Sequence, residues 1–315
     1  MRASLKPPAL RSGDAIRILS LASPVEEARV EVGCAELVRL GYEPKLDREQ
    51  VFARDGFFAG TAESRAAALR AALAEKGTHA IFCSRGGYGT NYVVEEFAAA
   101  GGPSASTSRI LLGYSDVTSL QIYLWQKFGW VSFYGPMAVH GFGGGADVAD
   151  GYDSGSFHRA MTETRQGWRI DLRGEAIAEG QAEGVVLGGC LTLIETTLGT
   201  PWELDTHDAI LLLEDCDMKP YQVDRALVHL KQAGKFDGVR GIVMGDFPRC
   251  EGAAGSETVS DVARRVLAAL KVPIVFGAAI GHTKRAMLTL PLGVRAQLRA
   301  AASGTWLDVL EPAVV

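Results

Sequence analysis

Arg109-Ile-Leu-Leu-Gly-Tyr-Ser-Asp116 is a short apolar run that stops on a hydroxyl and a carboxylate. Ile110 to Tyr114 reads as a buried strand. The residues after it read as a helix carrying Leu120, Leu124 and Trp125. Upstream the same pattern recurs. His79-Ala-Ile-Phe-Cys-Ser84 is a strand, Arg85-Gly-Gly-Tyr-Gly89 is a glycine-rich turn, and a helix follows through Val93 and Phe97. Further back, Ala15 to Ala22 is a strand. Ser23-Pro-Val-Glu26 then reads as a capping box with proline at the first helical position. The helix it opens ends near Gly41, and a second helix runs from about Thr61 to Lys76. Val131 to Tyr134 adds a strand. Strand, helix and strand at these spacings predict a parallel sheet covered on both faces, hence an α/β fold.

From Gly135 to Glu183 the pattern weakens. Gly141 to Gly155 is rich in Gly and Asp, and Arg165 to Gly184 is polar with short alternations. This stretch reads as a linker with one hairpin. Beyond it come a helix after Gly188-Gly189 and a strand ending at Glu214. A helix from about Tyr221 to Ala233, a strand over Gly241 to Gly245 and a helix from about Glu257 to Leu270 follow. A strand ending at Gly281 leads into a tail of short strands at Leu288-Thr-Leu, Arg295 to Leu298 and Trp306 to Leu310. The predicted division is a domain over 1–137, a linker over 138–183 and a second domain over 184–315.

The bulk composition narrows the function. A 47% hydrophobic, 22% charged chain of 315 residues is an ordinary soluble protein with room for two domains. A net charge of −5 without a long basic block argues against nucleic acid as a partner. No apolar run is long enough for a membrane span. The first residues carry Arg2, Lys6 and Arg11 with no signal-peptide core behind them, so the cytoplasm is expected. Cys34, Cys83, Cys190, Cys216 and Cys250 are scattered and odd in number, which fits reduced thiols rather than disulfides or a zinc site.

Three strand-like runs deliver groups of one catalytic type: Ser115, Glu214 and His282. A serine becomes nucleophilic when a base takes its proton. A histidine serves as that base when a third group fixes its tautomer. Each residue also has a plainer reading. Ser115 or Asp116 could cap the following helix. Glu214 could pair with an arginine such as Arg225, and a lone histidine is often a packing residue. The Gly-Tyr-Ser-Asp-Val segment departs from the Gly-x-Ser-x-Gly elbow at Val117. The Arg85–Gly89 turn matches neither a dinucleotide fingerprint nor a P-loop, but its N–H groups could bind an oxyanion. Asp217, Asp224 and Asp246 add carboxylates without metal-ligand spacing.

Taken in order, Arg85-Gly-Gly-Tyr-Gly, Gly113-Tyr-Ser-Asp, Gly135-Pro136, Gly188-Gly189, Leu213-Glu-Asp215, Pro220-Tyr-Gln-Val-Asp-Arg225 and Gly281-His282 resemble the LD-carboxypeptidase family of serine peptidases. That group includes murein tetrapeptide carboxypeptidases and microcin C immunity proteins, and the resemblance covers nearly the whole chain. It implies a flavodoxin-like N-terminal domain and a C-terminal mixed α/β domain with a barrel-like core. It implies Ser115 as nucleophile, His282 as base and Glu214 as orienter, with an oxyanion held by the N–H groups of Gly86 and Asp116. It also implies a homodimer acting in cytoplasmic cell-wall recycling, with no metal or cofactor. Two positions depart from the family's habits: Cys190 stands where Asn is frequent, and Met218 where an acidic residue is common.

The chemistry so implied is hydrolysis of the bond between the L-centre of a diamino acid and a terminal D-alanine. A carboxypeptidase needs a cation for the terminal carboxylate, and Arg85 or a loop arginine is the candidate. Two other functions compete. One is a microcin-immunity-like hydrolase of aminoacyl sulfamoyl adenylates, whose members tend to carry extra length that this chain lacks. The other is a peptide-binding protein with a silent triad.

Overall fold

Five strands of the first half pair in parallel: β1 (Ala15–Leu19), β2 (Glu43–Lys45), β3 (Thr78–Cys83), β4 (Ile110–Gly113) and β5 (Ser132–Tyr134). Their spatial order, 2-1-3-4-5, is the flavodoxin-like one. Helices α1 (Glu27–Arg39), α2 (Arg48–Val51), α3 (Ala62–Ala74), α4 (Thr90–Ala99) and α5 (Thr118–Phe128) connect them. The computed structural model describes residues 4–103 and 108–315; Arg2 of the N-terminal segment lies outside them. Amphipathic spacing explains the helices: α1 buries Val30, Gly33 and Leu37 and leaves Glu27 and Glu31 in water. β2 escaped the sequence reading because Glu43-Pro44-Lys45 is polar and carries a proline that only a sheet edge tolerates.

The second half contains α6 (Ser154–Thr162), β6 (Trp168–Asp171), β7 (Glu175–Ala178), β8 (Gly180–Cys190), α7 (Leu191–Thr196), β9 (Ala209–Glu214), α8 (Pro220–Gln232), β10 (Gly241–Gly245), α9 (Val259–Leu267), β11 (Ile274–Ala278), β12 (Leu290–Leu292), β13 (Arg295–Ala301) and β14 (Gly304–Val309). Eight of these strands form a mixed sheet in the order 6-14-13-8-9-10-11-7, parallel from β8 to β11. The sheet curls until its ends approach each other. Gly174, just before β7, donates its N–H to Thr305 Oγ1 of β14 at 3.3 Å and accepts from that hydroxyl at 3.0 Å, and Ala302 N–H donates to Glu179 Oε1 at 3.1 Å. These bonds give the core its barrel-like shape, although no closing ladder is present among the described residues.

Residues 138–183 are more ordered than a linker with one hairpin. They hold α6, which buries Phe157, Ala160 and Met161, and they supply both edge strands of the curled sheet, β6 and β7. Edge strands are short, so their alternation is too brief to stand out in sequence. The reading of Ser23 also changes. No side chain caps α1, whose N-cap is Glu26; the Ser23 hydroxyl instead accepts the Tyr88 N–H of the glycine-rich turn at 3.0 Å.

One strand changes sides. β12 leaves the second half and pairs antiparallel with β5, with Leu290 opposite Tyr134. It covers what would otherwise be an open edge of the first sheet, and it fastens the two halves beside the ends of β4 and β5.

Candidate active site

The turn after β4 is the tightest backbone feature of the first half. Ser115 takes φ 63°, a left-handed conformation that costs a non-glycine residue about 1–3 kcal/mol. The turn continues as a 3-10 segment, Ser115–Val117, into α5, and neither element has a side-chain cap. The Ser115 hydroxyl therefore does not cap the helix; it has no hydrogen-bond partner among the described residues. Asp116 is buried, and its carboxylate accepts from Thr90 N at 2.7 Å and from Thr90 Oγ1. Burial raises the Asp116 pKa, against the opposing pull of these two bonds and the Arg65 charge. The contact ties the serine turn to the start of α4, and so to the glycine-rich turn before it.

Gly86 shows how close that turn lies. A Cβ there would fall 2.8 Å from Ser115 Cβ, 3.0 Å from its Oγ and 3.4 Å from Asp116 N. Only glycine lets the two turns meet this closely.

The second half brings the carboxylate and the ring. Glu214, at the end of β9, is fully buried. Its Oε2 accepts the His282 backbone N–H at 2.8 Å and His282 Nδ1 at 2.9 Å. Its Oε1 accepts the Tyr134 hydroxyl. An ionised carboxylate can only accept, so Nδ1 carries a proton and Nε2 keeps the lone pair in the neutral ring. His282 lies beyond the end of β11 rather than directly on it, because Ala279 to Gly281 lead the chain back over β9. At Gly281, with φ 57°, a Cβ would lie 2.3 Å from Glu214 Cδ.

The electrostatics of the pair follow from this packing. Burial acts to raise the Glu214 pKa, but the His282 charge and the donated hydrogen bonds outweigh it and hold the carboxyl below its ordinary value. Burial acts in turn to lower the His282 pKa. The adjacent Glu214 charge outweighs that and lifts the ring above the usual imidazole range.

Ser115, Gly86, Arg85 and His282 line one cavity of about 780 Å³. The cavity is electropositive on one side. His140, which lines it, is pushed down to about 4 by burial and by the charges of Arg29, Arg85 and His282. Arg85 donates to Pro24 O at 3.3 Å, while its buried Nε has no partner among the described residues.

Other sequence candidates go elsewhere. Asp215 turns away from the ring: its Oδ2 accepts Thr192 N at 2.9 Å and Thr192 Oγ1 at 2.7 Å at the start of α7. Asp217 pairs with Arg249, Asp224 with Arg265 and Asp246 with Arg285. Glu214 has His282 and Tyr134 as partners, not Arg225. Sequence reasoning missed Tyr134, Arg29, His140 and Tyr114, whose ring meets His282 edge-on at 5.1 Å. Only Tyr134 had a usable signal, since it ends a strand as Glu214 does.

Comparison with known proteins agrees with this architecture. Residues 16–135 match the LD-carboxypeptidase N-terminal domain, and residues 183–298 match the LD-carboxypeptidase C-terminal domain. A Bacillus subtilis (strain 168) protein described as a "probable murein peptide carboxypeptidase" is 32% identical over 94% of this chain and 92% of its own length. The microcin C7 self-immunity protein MccF of Escherichia coli is 27% identical over 91% of this chain and 90% of its own. Among solved structures, a muramoyltetrapeptide carboxypeptidase from Oxalobacter formigenes superposes with a TM-score of 0.79 at 26% identity, covering 94% of this chain and 99% of that one. MccF in complex with glutamyl sulfamoyl guanosine superposes with a TM-score of 0.85 at 22% identity, covering 99% and 100%, a likeness of fold. With both domains matched in order and a relative above 30% identity along almost its whole length, the chain belongs to the LD-carboxypeptidase family.

Proposed function

We propose that this protein is a serine-type LD-carboxypeptidase that removes the terminal D-alanine from murein tetrapeptides. The observation that carries the reading is the Glu214–His282 pair: Nδ1 is committed to a buried carboxylate, on a ring that shares a cavity with an unpartnered serine hydroxyl. Ser115 Oγ attacks the carbonyl of the diamino acid's L-centre while His282 Nε2 takes the hydroxyl proton. The resulting oxyanion rests on the N–H groups of Gly86 and Asp116, each contributing roughly 2–4 kcal/mol. The C–N bond breaks, His282 returns the proton to the departing D-alanine amine, and an acyl-serine ester remains. Water, deprotonated by His282, hydrolyses that ester. Glu214 holds the tautomer and balances the imidazolium. Arg85 receives the terminal carboxylate, on the side of the cavity where His140 remains neutral. The setting we assign is cytoplasmic cell-wall recycling by a homodimer.

The MccF relative gives a second reading, hydrolysis of an aminoacyl sulfamoyl adenylate, supported by its full-length similarity. Mass spectrometry after incubation with murein tri-, tetra- and pentapeptides, with a sulfamoyl adenylate in parallel, separates the two. Loss of one D-alanine from the tetrapeptide, abolished in Ser115→Ala, is expected. Cleavage of the adenylate alone would favour the second reading. Binding without cleavage of any of these compounds would favour a silent binding protein.

A further inference from the structure

Tyr134 lies outside every role assigned above, yet it touches two parts of the site. It ends β5 in the first half, is fully buried, and reaches across to the second half. Its hydroxyl donates to Glu214 Oε1 and accepts the Ser115 backbone N–H at 3.3 Å. We propose that Tyr134 is a positioning residue that locks the serine turn and the Glu214–His282 pair into one hydrogen-bonded unit. This rests on the serine-carboxypeptidase reading.

The direction of each bond is forced. The Ser115 amide can only donate, and the Glu214 carboxylate can only accept. The phenol between them must therefore accept with its oxygen and donate with its proton. Burial and the Glu214 charge raise the Tyr134 pKa well above its ordinary value, so the proton stays on the phenol.

Two consequences follow for the chemistry. Glu214 divides its oxygens: Oε2 serves His282 and Oε1 serves Tyr134. Without the phenol, Oε1 would be a buried acceptor with no donor, the carboxylate would be held through Oε2 alone, and the aim of His282 would loosen. The Ser115 N–H is also fully occupied, which keeps it out of the cavity and leaves the Gly86 and Asp116 amides to meet an oxyanion. The ring itself is wedged at the junction. It meets Tyr114 edge-on at 6.2 Å, and a Cβ on Gly189 would lie 2.9 Å from its Cε2.

Tyr134→Phe removes one oxygen and keeps the wedge. With murein tetrapeptide as the probe, kcat should fall roughly ten- to a hundredfold, the effect of one hydrogen bond to a charged group, while KM stays near wild type. The acid limb of kcat/KM should move to higher pH. Glu214, no longer sharing its charge with the phenol, holds the His282 proton more tightly. In a Glu214→Gln background the additional loss should largely vanish, because Tyr134 acts through that carboxylate. An unmoved acid limb, a change confined to KM, or a fully additive double variant would overturn the proposal. Should Tyr134→Phe not fold, a fluorotyrosine placed at 134 serves instead: its more acidic phenol donates more strongly, so the acid limb should fall, and an unmoved limb would overturn the proposal. Ser115→Ala separates the two levels of inference. If it retains turnover, the reaction reading itself fails; if it is inactive while Tyr134→Phe behaves as wild type, only the role of Tyr134 fails.

Discussion

The two halves prepare their share of the site in opposite ways. In the first half Ser115 is under backbone strain, at φ 63°, and its hydroxyl is unpartnered among the described residues. In the second half Glu214 is fully buried and accepts three hydrogen bonds, two of them from His282. One half stores conformational energy at a bare hydroxyl, and the other neutralises a buried charge with a complete set of donors. The contrast explains how a site can be both strained and stable. Strain is tolerable where a small side chain faces a cavity, whereas a buried carboxylate must be satisfied or it unfolds the protein.

The largest expected effect tests the strained half. Ser115→Ala should abolish turnover and leave melting almost unchanged, since the hydroxyl caps nothing. Ser115→Gly should be equally inactive yet more stable, by up to about 1 kcal/mol once the loss of strain is set against glycine's entropy. A melting temperature below wild type for the glycine variant would show that the turn is not strained.

Next comes the satisfied half. Glu214→Gln should lower turnover on the order of ten-thousandfold, the loss caused by the corresponding swap in a Ser-His-Asp triad. Its acid limb in kcat/KM should fall below that of wild type, because burial remains while the charge that raised the His282 pKa is gone. Stability should follow the same linkage. The raised His282 pKa contributes stability that is complete below the unfolded imidazole value near about 6.5 and is lost as pH rises through the folded value. The gap between wild type and variant in denaturant titrations should therefore narrow toward alkaline pH.

Gly281→Ala should act on both halves of the comparison at once. Its Cβ would collide with Glu214 Cδ in a left-handed backbone, so we expect a loss of roughly 1–3 kcal/mol in thermal melts together with lower turnover. The smallest effect belongs to Asp215→Asn. That carboxylate holds the start of α7, so about 1 kcal/mol of stability should go while turnover stays near wild type. An inactive Asp215 variant beside an active Glu214 variant would exchange their roles.

Much of this was legible because parallel strands deliver their following residues to one edge of a sheet. Ser115 and Glu214 could be picked out where apolar runs stop, and the parallel sheet of the first half follows from its repeated strand–helix units, while its flavodoxin-like order came only with the family resemblance. His282 was found for a partly wrong reason: its strand ends at Ala278, and three further residues carry it to Glu214. Tyr134 stayed hidden because a tyrosine closing Val131 to Tyr134 looks like core, and its hydroxyl has a purpose only once a second domain supplies a carboxylate. The destination of β12 was equally unreadable. Leu-Pro-Leu pairs well enough with any apolar edge, and the choice of β5 is made by the packing of the whole molecule.

That displaced strand also sets a timetable for synthesis. A ribosome delivers the first sheet long before Leu290–Leu292, and until then the flank of β5 that carries Phe133 and Tyr134 is exposed backbone, able to pair with a neighbouring nascent chain. Arrival of the late strand closes that flank beside the very junction where serine, phenol and carboxylate meet.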